Sequence, residues 1–165
     1  MSGCAANARL CILSGGQTGV DRGALDAALA VDAPCGGWCP EGRTAEDGPI
    51  SSRYPLKELP GGDYAERTLM NVADSEATIV ITFGPASGGT LLTIECCRQV
   101  AKPCLVIDAA ATSLEVATRL AVEFVQSQAV HRLNIAGPRA SGEPRGYTYA
   151  YKLVTQLLAT VNQSS

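Results

Sequence analysis

Histidine is almost missing from this 165-residue chain: His131 is the single one. A Ser-His-Asp triad therefore has weak support, and His131, at the start of an expected strand, reads as a structural residue. There is no excess of positive charge. Thirteen Lys and Arg stand against sixteen Asp and Glu, for a net charge of −3. That balance leaves no face with the large basic surplus of a general nucleic-acid or membrane-surface binder, so neither partner is expected. No apolar run approaches the roughly 20 residues of a membrane span. The opening MSGCAANAR lacks the apolar region of a signal peptide, and the cytoplasm is the expected location. Neither GxGxxG nor GxxxxGK[ST] occurs, so no standard nucleotide fingerprint applies. Repeats, low-complexity tracts and dividing linkers are also absent.

Cysteine is plentiful but unpatterned. Seven occur, at positions 4, 11, 35, 39, 96, 97 and 104, several within expected strands or helices. An odd number so placed reads as reduced thiols used as small core residues. Cys35 and Cys39 alone have metal-like spacing, and they lack a second pair, so no metal site is expected. With 46% hydrophobic and 18% charged residues, the composition suits one α/β domain over residues 1–165.

The chain is organised around residues 10–29, LCILSGGQTGVDRGALDAAL. A short apolar strand stops at Ser14-Gly15-Gly16. Gln17-Thr18-Gly19 follows, then a helix with Ala24, Leu25, Ala28 and Leu29 on one stripe. Strand, glycine loop and helix start is the geometry of an anion site, because glycines admit close approach and the first helical amides are unpaired. Asp21 suits the helix dipole or a ligand hydroxyl, Asp26 reads as solvated, and Arg22 is an anion candidate.

Residues 32–60 begin with a possible strand at 35–39 and continue as a long Gly- and Pro-rich loop, which Trp38, Ile50, Tyr54 and Leu56 mark as packed. Arg43 either faces an anion or is solvated surface charge; Arg53 reads as surface charge. A helix over 63–74 is expected to bury Tyr64, Leu69 and Val72. The β-branched run 78–83 is the clearest central strand. It meets a second glycine loop, with Ser87, Gly88, Gly89 and Thr90, before a helix over 91–101. A strand at 104–108 leads to a helix capped by Ser113, running to about Gln128, with Leu114, Ala117, Leu120, Ala121, Phe124 and Val125 inward. The strand 133–136 ends in a third loop, with Gly137, Pro138, Arg139 and Ser141. The last helix, 146–161, buries Tyr147, Ala150, Tyr151, Val154, Leu157 and Leu158, and 162–165 reads as a frayed tail.

Alternating strands and helices imply a Rossmann-like, doubly wound, mainly parallel sheet with helices on both faces. Ligands of such sheets bind beyond the strand carboxyl ends, where all three glycine loops fall. The loops are therefore expected to converge on one anion-binding cleft. Arg139 there is either a ligand contact, beside Ser141, or a partner for Glu143.

Four stretches resemble the molybdenum cofactor carrier proteins, relatives of the lysine-decarboxylase-like phosphoribohydrolases. They are SGGQTGVDRGALDAAL from Ser14, GWCPEGRTAEDGPISSRYPL from Gly37, RTLMNVADSEATIVITFGPASGGT from Arg67, and LNIAGPRASGEPRGY from Leu133. The resemblance implies a non-catalytic homotetramer that stores and hands on the molybdenum cofactor. A molybdenum insertase or molybdenum enzymes would be donor and acceptor. Glycine loops would hold the phosphate or oxo-metal group, and Asn134, Thr90 or Ser87 would meet the pterin edges. Ser87-Gly88-Gly89-Thr90 followed by Glu95 also looks like the hydrolases' glycine-glycine-threonine-glutamate motif. Glu95 is then a site carboxylate or a helix-surface charge. The hydrolases' upstream catalytic arginine has no assigned equivalent. A phosphoribohydrolase-like enzyme and a nucleotide-sensing binding protein stand as alternatives.

Overall fold

A computed structural model describes residues 9–163. Its elements are β1 (Cys11–Leu13), α1 (Val20–Ala30), β2 (Cys35–Gly36), β3 (Trp38–Pro40), a 3-10 turn at Glu41–Arg43, β4 (Thr44–Ala45), β5 (Gly48–Pro49), β6 (Lys57–Leu59), α2 (Tyr64–Asp74), β7 (Ala77–Thr82), α3 (Gly88–Gln99), β8 (Cys104–Asp108), α4 (Leu114–Ser127), β9 (Arg132–Ala136) and α5 (Gly146–Gln163). Five strands form one sheet in the order β2-β1-β9-β7-β8, and every pairing in it is parallel. The Rossmann-like α/β reading is thus observed. β7 sits inside the sheet and is buried along its whole length, which its β-branched run requires.

α1, α4 and α5 cover one face, where Ile79, Ile81, Ile107, Leu133 and Ile135 meet Leu153, Leu157 and Leu158. α2 and α3 cover the other, joined through Val72, Cys96 and Cys97. α1 and α5 approach closely because their contact is built from Gly23, Ala24 and Ala150; a side chain at Gly23 would run into the Tyr147 carbonyl. The caps are local. Asp63 accepts the Glu66 amide at 2.8 Å and Ser113 the Val116 amide at 3.2 Å.

Several expectations need correction. The strand at 35–39 is two strands in two sheets, because Gly37 (φ 135°) turns the chain where a Cβ would collide with Ser14. β2 joins β1, whereas β3 pairs with β6 in a separate parallel pair. The expected long loop therefore carries structure of its own, including the β4–β5 hairpin. Ile50, Tyr54 and Leu56 do pack, with Leu25 and Cys39. α3 starts at Gly88 rather than three residues later. Leu120 is 38% exposed, as is Tyr147, whose hydroxyl donates to Asp26. On α2, Val72 is buried, but Tyr64 and Leu69 are each 37% exposed, and Arg67, Thr68 and Asn71 turn inward. That inversion has a physical reason: the inner face of α2 walls a polar cavity. The expected frayed tail is helical through Gln163, with Asn162 accepting the Leu10 amide at 3.5 Å. Cys4 and residues 164–165 lie outside the described residues.

Candidate functional site

β1, β9 and β7 are neighbours and parallel, so the three glycine loops leave the same edge of the sheet side by side. The first and third loops are bonded directly. The Val20 amide donates to Pro138 O at 3.2 Å and the Ala140 amide to Thr18 Oγ1 at 3.1 Å. Gly19 (φ 83°) is obligatory there, since a Cβ would overlap the backbone of Pro138, Arg139 and Ala140. β9 sends its chain to α5 on one face and β7 sends its chain to α3 on the other. The crevice between them is the topological switch at which doubly wound sheets bind ligands.

An inner cavity of about 20 Å³, room for one water, lies where α2 meets this edge. Asp21, Tyr64, Arg67, Asn71, Thr93 and Asn134 line it. Arg67 dominates. Its side chain is 7% exposed, and its guanidinium fills the space over Gly15, where any Cβ would overlap it. Its Nη1 is 3.7 Å from the Asp21 carboxylate, and its guanidinium carbon is 4.5 Å from the Tyr64 ring centroid. Its buried Nε–H has no hydrogen-bond partner among the described residues. Buried donors are nearly always satisfied, so an orphan on a buried cation marks a place for an acceptor, a water or a ligand oxygen. The Tyr64 hydroxyl occupies the space over Gly89, on the first turn of α3.

Asp21 is buried, and burial raises its pKa to about 6 against the opposing pull of Arg67. It accepts the Gln17 amide at 3.2 Å. Asn134 donates to Thr78 Oγ1 at 3.3 Å. Asn71 closes a two-way clamp on Trp38, accepting its amide at 2.8 Å and donating to its carbonyl at 2.9 Å.

Two further hollows flank the cavity. A crevice of about 110 Å³ between the β7 and β9 loops is lined by Ser87, Thr90, Pro138 and Glu143, among others. An outer cleft of about 620 Å³ runs from Glu41 and Glu46 to Asp63, Tyr64 and Arg139. Tyr64 belongs to both the cavity and the cleft and divides them.

The sequence candidates separate accordingly. Gly15, Gly89, Asn134 and Gly137 line the inner cavity; Ser87, Thr90 and Pro138 line the crevice; Arg139 lines the cleft. Gly88 opens α3 with φ 53°. Others serve the scaffold. A side chain on Gly16 would strike Leu56 and Ile50, so that glycine faces packing rather than a cavity. Arg22 grips Asp47 with two bonds, at 2.7 and 2.8 Å, and donates to Gly16 O at 3.0 Å. Arg43 spends its guanidinium on the carbonyls of Ile50, Ser51, Tyr54 and Leu56, at 2.7–3.1 Å, and holds the loop in shape. Thr18 and Ser141 both donate to Glu46, which ties the β4–β5 hairpin to the first and third loops. Glu95 is exposed on α3 and lines none of these hollows. Asp26 is not solvated: Tyr54 donates to it at 2.7 Å, and Arg53 lies 3.3 Å away. Burial, then Asp26, pushes the Tyr54 phenol to about 12. Glu143 pairs with Arg145 at 2.7 Å, leaving Arg139 to Tyr64, 5.8 Å from its centroid.

Arg67 and Asn71 escaped the sequence reading, which took Tyr64 for a buried core residue. Their signal is a polar i, i+4 pair, Arg67 and Asn71, on the same helical face as the apolar Val72.

The Circularly permutated YpsA SLOG family matches residues 12–158. Comparison with curated proteins gives no match. Among solved structures, a Syntrophus aciditrophicus SB protein named "Putative molybdenum carrier protein" superposes with a TM-score of 0.89 at 44% identity, over 92% of this chain and 96% of that one. The family match extends over nearly the whole sheet and all three glycine loops, and the chain belongs to the circularly permutated YpsA SLOG family.

Proposed function

We propose that this protein binds and carries a phosphorylated, ring-bearing small molecule, the molybdenum cofactor, without turning it over. The observation that carries the reading is Arg67, a buried cation with an unsatisfied Nε–H, which lies over Gly15 after β1 and lines a cavity shared with Gly89 of the first turn of α3. The cavity as it stands has room for one water, so a phosphate would reach Arg67 and the amides of the Gly88–Thr90 turn once the Tyr64 side chain leaves the space over Gly89. The name of the Syntrophus structure supports the choice of ligand. The exposure of Glu95 weighs against the hydrolase alternative, which needs it beside the ligand. A homotetramer, cytoplasmic location and exchange with a molybdenum insertase or molybdenum enzymes complete the proposal. Exposed apolar side chains on α2, α3 and edge strand β8 (Leu69, Leu91 and Val106) support subunit contacts, and the six described cysteines, all free, support a reducing compartment. Among the described residues no helix is long and apolar enough to cross a membrane.

The test is equilibrium retention of molybdenum cofactor, read after oxidation as pterin fluorescence in the protein fraction, with AMP and molybdate as competitors. Arg67→Met keeps length and removes the donors. Retention is expected to fall ten- to a hundredfold, as for loss of a charge-assisted contact. Unchanged retention in folded Arg67→Met overturns the site. Release of base from AMP by the wild type overturns the absence of turnover.

A further inference from the structure

The outer cleft carries a chemistry that the Arg67 seat does not explain. Three carboxylates, Glu41, Glu46 and Asp63, line it against one cation, Arg139. An anionic group is repelled there, so a phosphate-bearing ligand places its phosphate inward and its neutral ring outward. At about 620 Å³ the cleft is within the range of small-molecule sites. Tyr64 supplies an aromatic wall shared with the inner cavity, and the Arg139 guanidinium lies over that ring at 5.8 Å from its centroid, so a flat ring stacks on Arg139 with Tyr64 behind it rather than between the two.

The carboxylates are not equivalent. Both oxygens of Glu46 are taken by Thr18 and Ser141. Asp63 caps α2 through its Oδ1. Glu41 accepts only the Gly61 amide, at a long 3.4 Å, and keeps most of its acceptor capacity. An ionised carboxylate accepts two parallel bonds from a group with two adjacent donors. A ring N–H beside an exocyclic NH2, the 2-amino-4-oxopyrimidine edge of guanine and of pterins, is such a group. Adenine offers one donor beside an acceptor nitrogen, and hypoxanthine lacks the amino group.

We infer that the outer cleft selects the ring of the ligand by this edge, with Glu41 accepting both donors while Tyr64 and Arg139 hold the ring plane. The inference rests on the phosphate seat at Arg67 and names the class of ring that extends from it.

The experiment is calorimetric binding of GMP, IMP and AMP, with inorganic phosphate as the probe of the seat alone, to wild type and Glu41→Gln. Wild type is expected to bind GMP at least tenfold more tightly than IMP or AMP. Glu41→Gln is expected to bring GMP down to the level of IMP. Equal affinity for the three nucleotides, or a GMP preference that survives Glu41→Gln, overturns the inference while the seat stands. Failure of all four probes to bind overturns the seat and the inference together. Pterin monophosphate in place of GMP separates the two sources of the edge: whichever ring binds more tightly is the better occupant, and failure of both to exceed IMP rejects the edge.

Discussion

Arg67 and Asp21 form the one closely buried ion pair in the site, and 3.7 Å is a loose separation for it. Burial outweighs the arginine and leaves the carboxyl titrating near 6, above the ordinary 3.8. A raised acid binds its proton more tightly when folded. Its contribution to stability is therefore complete below about 4 and is lost as pH rises through 6. The loss is on the order of 3 kcal/mol. Denaturant unfolding between pH 4 and 7 should show this fall in wild type and a flatter profile in Asp21→Asn. Sequence reasoning placed Asp21 in the first helical turn, for the helix dipole or a ligand hydroxyl, and not as a buried acid. Its burial depends on α2, some forty residues away, lying across the loop, and no local pattern records that. The same distance hid Arg67, whereas Arg22 and Arg43, both next to glycines, attracted attention and turned out to brace the loops.

At the scale of elements, the strand–loop–helix units were legible because each is local. The apolar strands, the glycines at their ends and the caps at Asp63 and Ser113 lie within a few residues of one another. Residues 32–60 were not, because β3 and β6 stabilise each other across a gap in sequence and Gly37 redirects the chain between sheets. Two predictions belong here. Gly23→Ala should cost about 1–3 kcal/mol in unfolding free energy, since its methyl forces α1 off the α5 backbone. Glu46→Ala should release the β4–β5 hairpin from the first and third loops and speed amide exchange over residues 44–49, with the midpoint of global unfolding little changed.

For the whole molecule, the exposed Leu69, Leu91 and Val106 lie on α2, α3 and β8, away from the α1, α4 and α5 layer. If this side forms the subunit contact, sedimentation at micromolar concentration should give a tetramer, and Val106→Glu should shift it toward smaller species. A wild type that sediments as a monomer would refute the assembly. The convergence of loops on one edge was legible from the parallel topology alone; the division of that edge into a cavity, a crevice and a cleft depended on where Tyr64 falls. The chain also holds one tryptophan, Trp38, and the clamp from Asn71 fastens it to the helix that bears Arg67, one turn away. Its indole donates to Asp74 on the same helix. The protein therefore has a built-in optical gauge: a ligand that shifts α2 against β3 to reach Arg67 is expected to change the surroundings of a single indole, and a titration can be followed by intrinsic fluorescence without a label.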